Sequence, residues 1–284
     1  VKAGQIIDEL FLLQVDRDNL EIRQKLRQEG QQSQPYLKLF NIMFGKWNRL
    51  DQNKSFLDNE EKPQGAGYYP TDMSKKEFNQ YIEQHPEQEE EFTSHYTIIK
   101  RAGDSLKAVP YHENFQTRVK KVSQLLKEAA EITQDTTLQR FLKLRAEDLL
   151  TDKYFDSNMA WMDLSGDLEV VIGPYEVYED QLFGYKAAYE TFVCKVDQQA
   201  SQKLANIGEY QRQMETNLPI PDKHKNMDRG YSSPIKVVNE IFTAGDTKAG
   251  IQTIAFNLPN DERVREAKGS KKVMLKNKIR AKFD

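Results

Sequence analysis

From Gly4 to Arg27, Ile7, Leu10, Phe11, Val15 and Leu20 recur at helical spacing with charges between them. That period predicts an amphipathic helix, or two short ones, stopping near Gly30. Between Gln34 and Pro70 the period is lost. Trp47, Phe56, Tyr68 and Tyr69 stand among Asn, Asp, Pro and Gly, predicting an ordered, irregular segment that packs through its rings. Ser74 with Glu77 forms a capping box for a helix carrying Phe78 and Tyr81. The acidic run from His85 to Glu91 reads as a solvated face. Gln116 to Ile132 has the clearest stripe, with Val119, Val122, Leu125, Leu126 and Ala129 opposite Lys120, Lys121, Lys127 and Glu128. After the cap Asp135-Thr136-Thr137, Leu138, Phe141, Leu142, Arg145 and Leu149 repeat the stripe, so the two segments predict a helical hairpin.

Beyond the hairpin, Leu168 to Ile172, Ile235 to Phe242 and Ile251 to Phe256 are apolar runs of strand length. Glu179 to Val196 and Gln198 to Leu218 return to helical spacing and are closed by Pro219 and Pro221. Lys223 to Ser233 is polar and carries Gly230, which makes it the candidate flexible loop and puts a sub-domain boundary near 219–233. There is no internal repeat and no low-complexity tract.

Composition narrows the classes. A chain of 284 residues with 38% hydrophobic positions can bury a sizeable core in one large or two modest domains. Charged residues reach 30% but cancel to a net of -3, so no global field draws the chain to nucleic acid or an anionic membrane. No apolar run approaches the roughly 18 residues of a bilayer span. The single cysteine, Cys194, excludes an internal disulfide and reads as a buried structural thiol inside a helix. The compartment stays open between a cytosol and a cysteine-poor bacterial periplasm. No basic-then-apolar signal opens the chain. Because it begins with Val1, the expectation is that an initiator methionine, a signal sequence or more of the protein preceded it.

The candidate chemistry gathers in two segments that come after apolar runs, Gly173 to Asp180 and Asn257 to Arg265. If the extended backbone of Leu168 to Ile172 persists, Glu176 and Tyr178 stand two apart on the same side. A carboxylate suits a free α-ammonium, and a phenol can hydrogen-bond a developing oxyanion. The plain alternative is a tyrosine-rich strand-to-helix turn. Asn257 and Asn260, flanking Pro259, could turn both amides to one peptide backbone, or serve only as turn residues. The four histidines are scattered: His112-Glu113 is followed at the ligand spacing by Gln116, a carboxamide, so His112 reads as structural or substrate-adjacent. No G-x-S-x-G elbow is present, and Gly65-Ala66-Gly67 is too short for a phosphate loop.

The segment from Ile172 to Val193, with Gly173-Pro174-Tyr175-Glu176-Val177-Tyr178-Glu179-Asp180 at its start, resembles a block of the dipeptidyl-peptidase III family of zinc metallopeptidases. So does Ala249-Gly250-Ile251 with Asn257-Leu258-Pro259-Asn260 and Arg265. Similarity to the bacterial branch runs from about Phe40 to the end, including Lys107 to His112, and this chain carries extra residues such as Gly173 and Pro174 beside Glu176. By that resemblance Glu176 and Tyr178 are the substrate-binding glutamate and tyrosine, with Tyr178 stabilising the oxyanion. Asn257 and Asn260 would hold the substrate's N-terminal residues, and Arg265 would lie in the same cleft.

The family takes its zinc from an HExxH helix C-terminal to the N-x-P-N block, and no such motif occurs here. The resemblance therefore implies that residues 1–284 are the N-terminal, substrate-binding lobe of a two-lobed exopeptidase that removes dipeptides. Zinc and the catalytic glutamate would come from a C-terminal lobe, leaving this fragment without metal and inactive alone. Lys268 to Asp284, with seven basic residues and one acidic, reads as a connector helix to that lobe. The expected fold is α+β, a mainly helical lobe with a small sheet or partial barrel. The rival is a non-catalytic peptide-binding module that keeps the cleft without a metal lobe; chance similarity would leave the two segments far apart.

Overall fold

The computed structural model describes residues 1–208, 210–226 and 235–284. The N-terminal pattern resolves into two helices, α1 (Lys2–Val15) and α2 (Asn19–Gln28). α1 buries Ile7, Leu10 and Phe11 completely and lies directly on the sheet. The approach is so close that a Cβ on Gly4 would stand 2.2 Å from Phe242. Each such fully buried side chain contributes about 1.5–3 kcal/mol. Asn19 fixes the turn by donating to Leu12 O at 3.0 Å and Phe44 O at 3.3 Å. The expected irregular segment begins later than its composition suggests, because Pro35 sits in the first turn of α3 (Gln34–Met43), where a missing N–H costs nothing. After a two-residue ribbon, β1 (Trp47–Asn48) with β2 (Lys54–Ser55), the chain to Pro70 packs as expected through Trp47, Tyr68 and Tyr69, all buried.

Ser74 caps α4 (Lys75–Gln84) by accepting from Glu77 N at 3.1 Å, while the Glu77 carboxylate reaches Arg101 at 2.7 Å. α5 (Glu89–Thr93) leads to the hairpin β3 (Thr97–Ala102) with β4 (Ser105–Pro110), and α6 (Tyr111–Asn114) comes next. The helical hairpin forms from α7 (Gln116–Ile132) and α8 (Thr136–Asp148), with Asp135 accepting from Thr137 N and Leu138 N at 2.9 and 3.1 Å. α9 (Phe155–Met162) packs against α8.

A curled five-stranded half-barrel supports these helices. Its order is β5 (Leu168–Glu176), β6 (Ala188–Val196), β7 (Ile235–Gly245), β9 (Lys271–Leu275) and β8 (Ala255–Leu258). Pairs are antiparallel except β7 with β9. The α+β class, mainly helical, is the one the pattern predicts.

Several elements differ from the periodicity. Glu179 to Val196 is not a helix: residues 179–187 form a loop and the rest is β6. Tyr189 to Val196 is rich in aromatic and β-branched residues and is covered on both faces, which erases the alternation that marks a half-exposed strand. Cys194 is accordingly a buried strand residue, its thiol pushed up to about 12 by burial. Gln198 to Leu218 divides into α10 (Gln198–Gly208) and α11 (Gln211–Thr216), Gly208 being a poor helix former. The last stretch is not one connector helix. α12 (Glu262–Lys268) is succeeded by β9 and then α13 (Lys276–Phe283), because Lys271, Val273 and Leu275 alternate into the core. The third apolar run becomes a strand only at Ala255, which puts Asn257 inside β8. Most of the expected loop at Lys223 to Ser233, residues 227–233, lies outside the described residues.

Candidate functional site

β5 persists through Glu176, with a register shift between Pro174 and Glu176. Past its end, buried acids hold the chain on the far side of an exposed tyrosine. Glu179, 3% exposed, pairs with Arg49 at 2.8 Å and Lys62 at 2.5 Å. Burial alone would raise its pKa, but the two cations overcome that and hold the carboxyl below its ordinary range. Asp180 accepts from Tyr69 OH at 2.9 Å and from the backbone N–H groups of Leu182, Phe183, Tyr185 and Lys186 at 2.9–3.1 Å. With these neighbours fixed inward, Tyr178 stands 77% exposed.

The loop after it is fastened from the other end by Lys186. Its ammonium, fully buried, donates to Phe92 O, Ser94 O and Thr97 Oγ1 at 2.6, 2.8 and 2.8 Å, using all three protons. Burial pushes it down to about 7, with Asp180 opposing. This clamp joins the loop to the segment carrying His95 and Tyr96.

The second segment reaches the first across the sheet. A cis Leu258–Pro259 bond precedes Asn260, whose Nδ2 donates to Tyr175 O at 3.0 Å and whose amide also hydrogen-bonds the Glu176 carboxylate. Asp261 then caps α12 by accepting from Arg263 N. Glu176, Tyr178 and Asn260 thus line one cavity of about 540 Å³, walled by Tyr96, Tyr154 and Arg145. Asn257 and Arg265 do not join that lining. Asn257 is exposed on β8, opposite Lys272, and Arg265 is exposed beside Glu262.

Charge around Glu176 is poorly compensated. Burial raises its pKa, and only the Asn260 hydrogen bond opposes that. Glu190, 3% exposed on β6, is raised well above the usual carboxyl range by burial, then by Asp246 and Glu176. Asp246, just past β7, is pushed up to about 7 by burial and by Glu179, with Arg49 opposing. An acidic, partly dry wall of this kind suits a cation carrying several hydrogen-bond donors.

His112 is structural: its Nδ1 lies 2.8 Å from Asp152 Oδ2, which also accepts from its backbone N–H at 3.0 Å. The cavity instead holds His95. Among the described residues no group of three His, Cys, Asp or Glu could hold a metal, so these residues do not fit a zinc site. The periodicity missed Tyr96, Arg145, Tyr154 and Asn158 as cavity residues. One of them left a visible signal, because Arg145 is a charge on the apolar stripe of α8.

Residues 71–284 match the model of peptidase family M49, and the chain belongs to that family. Among solved structures, dipeptidyl-peptidase III from Caldithrix abyssi superposes with a TM-score of 0.97 at 52% identity, over 100% of this chain and 54% of that one. The enzyme from Corallococcus sp. strain EGB superposes with a TM-score of 0.90 at 40% identity, over 100% and 53%. A curated relative, Nudix hydrolase 3 of Arabidopsis thaliana, is 34% identical over 337 residues, covering 100% of this chain and 43% of its own length. The chain therefore spans about half the length of the relatives it matches. No helix among the described residues is long and apolar enough to cross a membrane.

Proposed function

We propose that this chain is the substrate-binding lobe, residues 1–284, of a dipeptidyl-peptidase III-like enzyme that removes dipeptides from peptide N-termini. The reading is supported chiefly by one observation: Glu176 and Tyr178 line a single cavity with Asn260, some eighty residues further along the sequence, in a chain of family M49. In this reading Glu176 pairs with the substrate's α-ammonium, and the Asn260 amide both steadies that carboxylate and contacts the peptide backbone. Tyr178, free at the rim, donates to the oxyanion as the peptide bond is attacked. Asn257 and Arg265 act at the outer edge, meeting substrate along β8 and beside α12. The remainder of the full-length protein would supply zinc and the glutamate that activates water.

Steady-state kinetics of the full-length protein test the proposal with dipeptidyl arylamides bearing free or acetylated N-termini. Release of the arylamine from the free form only, with Glu176→Gln raising KM, supports it. Equal cleavage of both forms, or no cleavage of either, overturns it.

A further inference from the structure

Arg145, like Lys186, is a buried cation without an ion pair among the described residues, but unlike Lys186 it also lacks a full set of hydrogen-bond acceptors. It is 1% exposed, and its Nη2 donates to Asn158 Oδ1 at 2.7 Å. The rings of Phe141, Tyr154 and Tyr175 surround its guanidinium at 5.4, 5.1 and 5.4 Å, and Nε has no hydrogen-bond partner. Asp148 lies within reach of its field, but that carboxylate accepts from Ser157 N at 3.2 Å. Other buried cations are answered: Lys46 by Asp58, Lys271 by Glu169, and Lys186 by three acceptors. Stacking on rings offsets only part of the desolvation of a guanidinium. Arg145, Asn158, Tyr154 and Tyr175 all line the cavity that also contains Glu176.

The room for this guanidinium is built into β5. Gly173 has φ +146, and a Cβ there would stand 2.6 Å from Arg145 Nη1. Gly173 precedes Glu176 by three residues, a span of about 10 Å along a strand. An extended peptide advances about 3.3 Å per residue, so its first two side chains fall within that span.

We propose that Arg145, with Asn158, forms a carboxylate-receiving subsite for an acidic side chain at one of the first two positions of the bound peptide. This rests on the reading in which Glu176 pairs with the α-ammonium. Arginine's planar fork matches a carboxylate, and the sequestered site strengthens the pairing. The cavity then selects a ligand with a cation at one end and an anion a few ångströms further on.

The test uses the full-length protein and dipeptidyl arylamides with Glu or its neutral isostere Gln at the first or the second position. Leu fills the other position. At one of the two positions kcat/KM for Glu exceeds that for Gln by about tenfold or more, the scale of a charge-assisted hydrogen bond. Arg145→Met brings the ratio toward one. Asn158→Asp, which sets a carboxylate against the guanidinium from within, does the same without vacating the buried site. Calorimetric binding of the corresponding free dipeptides reports the same ratio if the protein binds but does not cleave. Equal values for Glu and Gln at both positions, or a ratio that survives both variants, overturns the subsite. Cleavage of the Leu-Leu arylamide with no Glu preference overturns it alone, leaving the peptidase reading intact; absence of both binding and cleavage overturns both.

Discussion

At the start of β5, Glu169 is 1% exposed and paired with Lys271 at 3.1 Å and Lys236 at 2.8 Å. Lys271 also donates to Trp161 O at 2.7 Å, so this triad ties β5 and β9 to α9. At the other end of the same strand, Glu176 is half-buried and answered by one amide, with Asp246 adding to the negative field when it ionises. One strand therefore carries two kinds of carboxylate. A charge fully answered within the chain holds the fold together; a charge left short of partners beside a cavity is available to something that enters it.

The sharpest break of this comparison is at the paired end. Glu169→Ala leaves Lys271 buried without its partner and should cost about 3–5 kcal/mol in chemical denaturation. Loss of less than about 1 kcal/mol would remove the distinction between the two ends. Next in size is Tyr178→Phe, which keeps the ring and removes one donor. Turnover of the full-length protein on dipeptidyl arylamides should fall about 10²- to 10³-fold with KM little changed. A variant that keeps its turnover and loses only affinity makes the phenol a positioning group. Glu176→Gln should raise KM about 10- to 100-fold by removing the charge opposite the α-ammonium, while leaving the denaturation midpoint close to the parent's.

The smallest effect is a pH dependence from Asp246. Its folded pKa of about 7 lies above the ordinary aspartate value of 3.8, so the stability linked to its proton is full below about pH 4 and is lost as pH rises through 7. Asp246→Asn should therefore raise the melting temperature more at pH 8 than at pH 5. Ionisation of Asp246 also deepens the negative field at Glu176. Between about pH 6 and 7.5, the range around that pKa, KM should fall as pH rises, and the variant should flatten that limb. A slope unchanged in Asp246→Asn would assign it elsewhere.

The two helices of the hairpin and the Ser74 and Asp135 caps were legible because each depends on contacts within a turn or two of chain. Glu176, Tyr178 and Asn260 could be picked out by residue type at strand ends and by family resemblance. That they share a cleft was expected from the resemblance alone; nothing local in the sequence could show it, since it depends on β8 reaching β5 around a curled sheet and on Asn260 donating to Tyr175 O. The helical reading of Glu179 to Val196 failed for a related reason. A strand covered on both faces loses its two-residue alternation, and only the packing of α1 on one side and the half-barrel interior on the other says that both faces are covered. Arg145 shows the same division within one residue. A charge on an apolar stripe is a signal the sequence carries, but its stacking on Tyr175 and the space left by Gly173 come from another element. The sequence by itself determined the helices whose stripe faces one side, where they are capped, and which side chains carry usable chemistry, because those properties are local. The tertiary structure decided which of those charges are answered and which face a cavity, because ion pairing and desolvation depend on neighbours that only folding brings together.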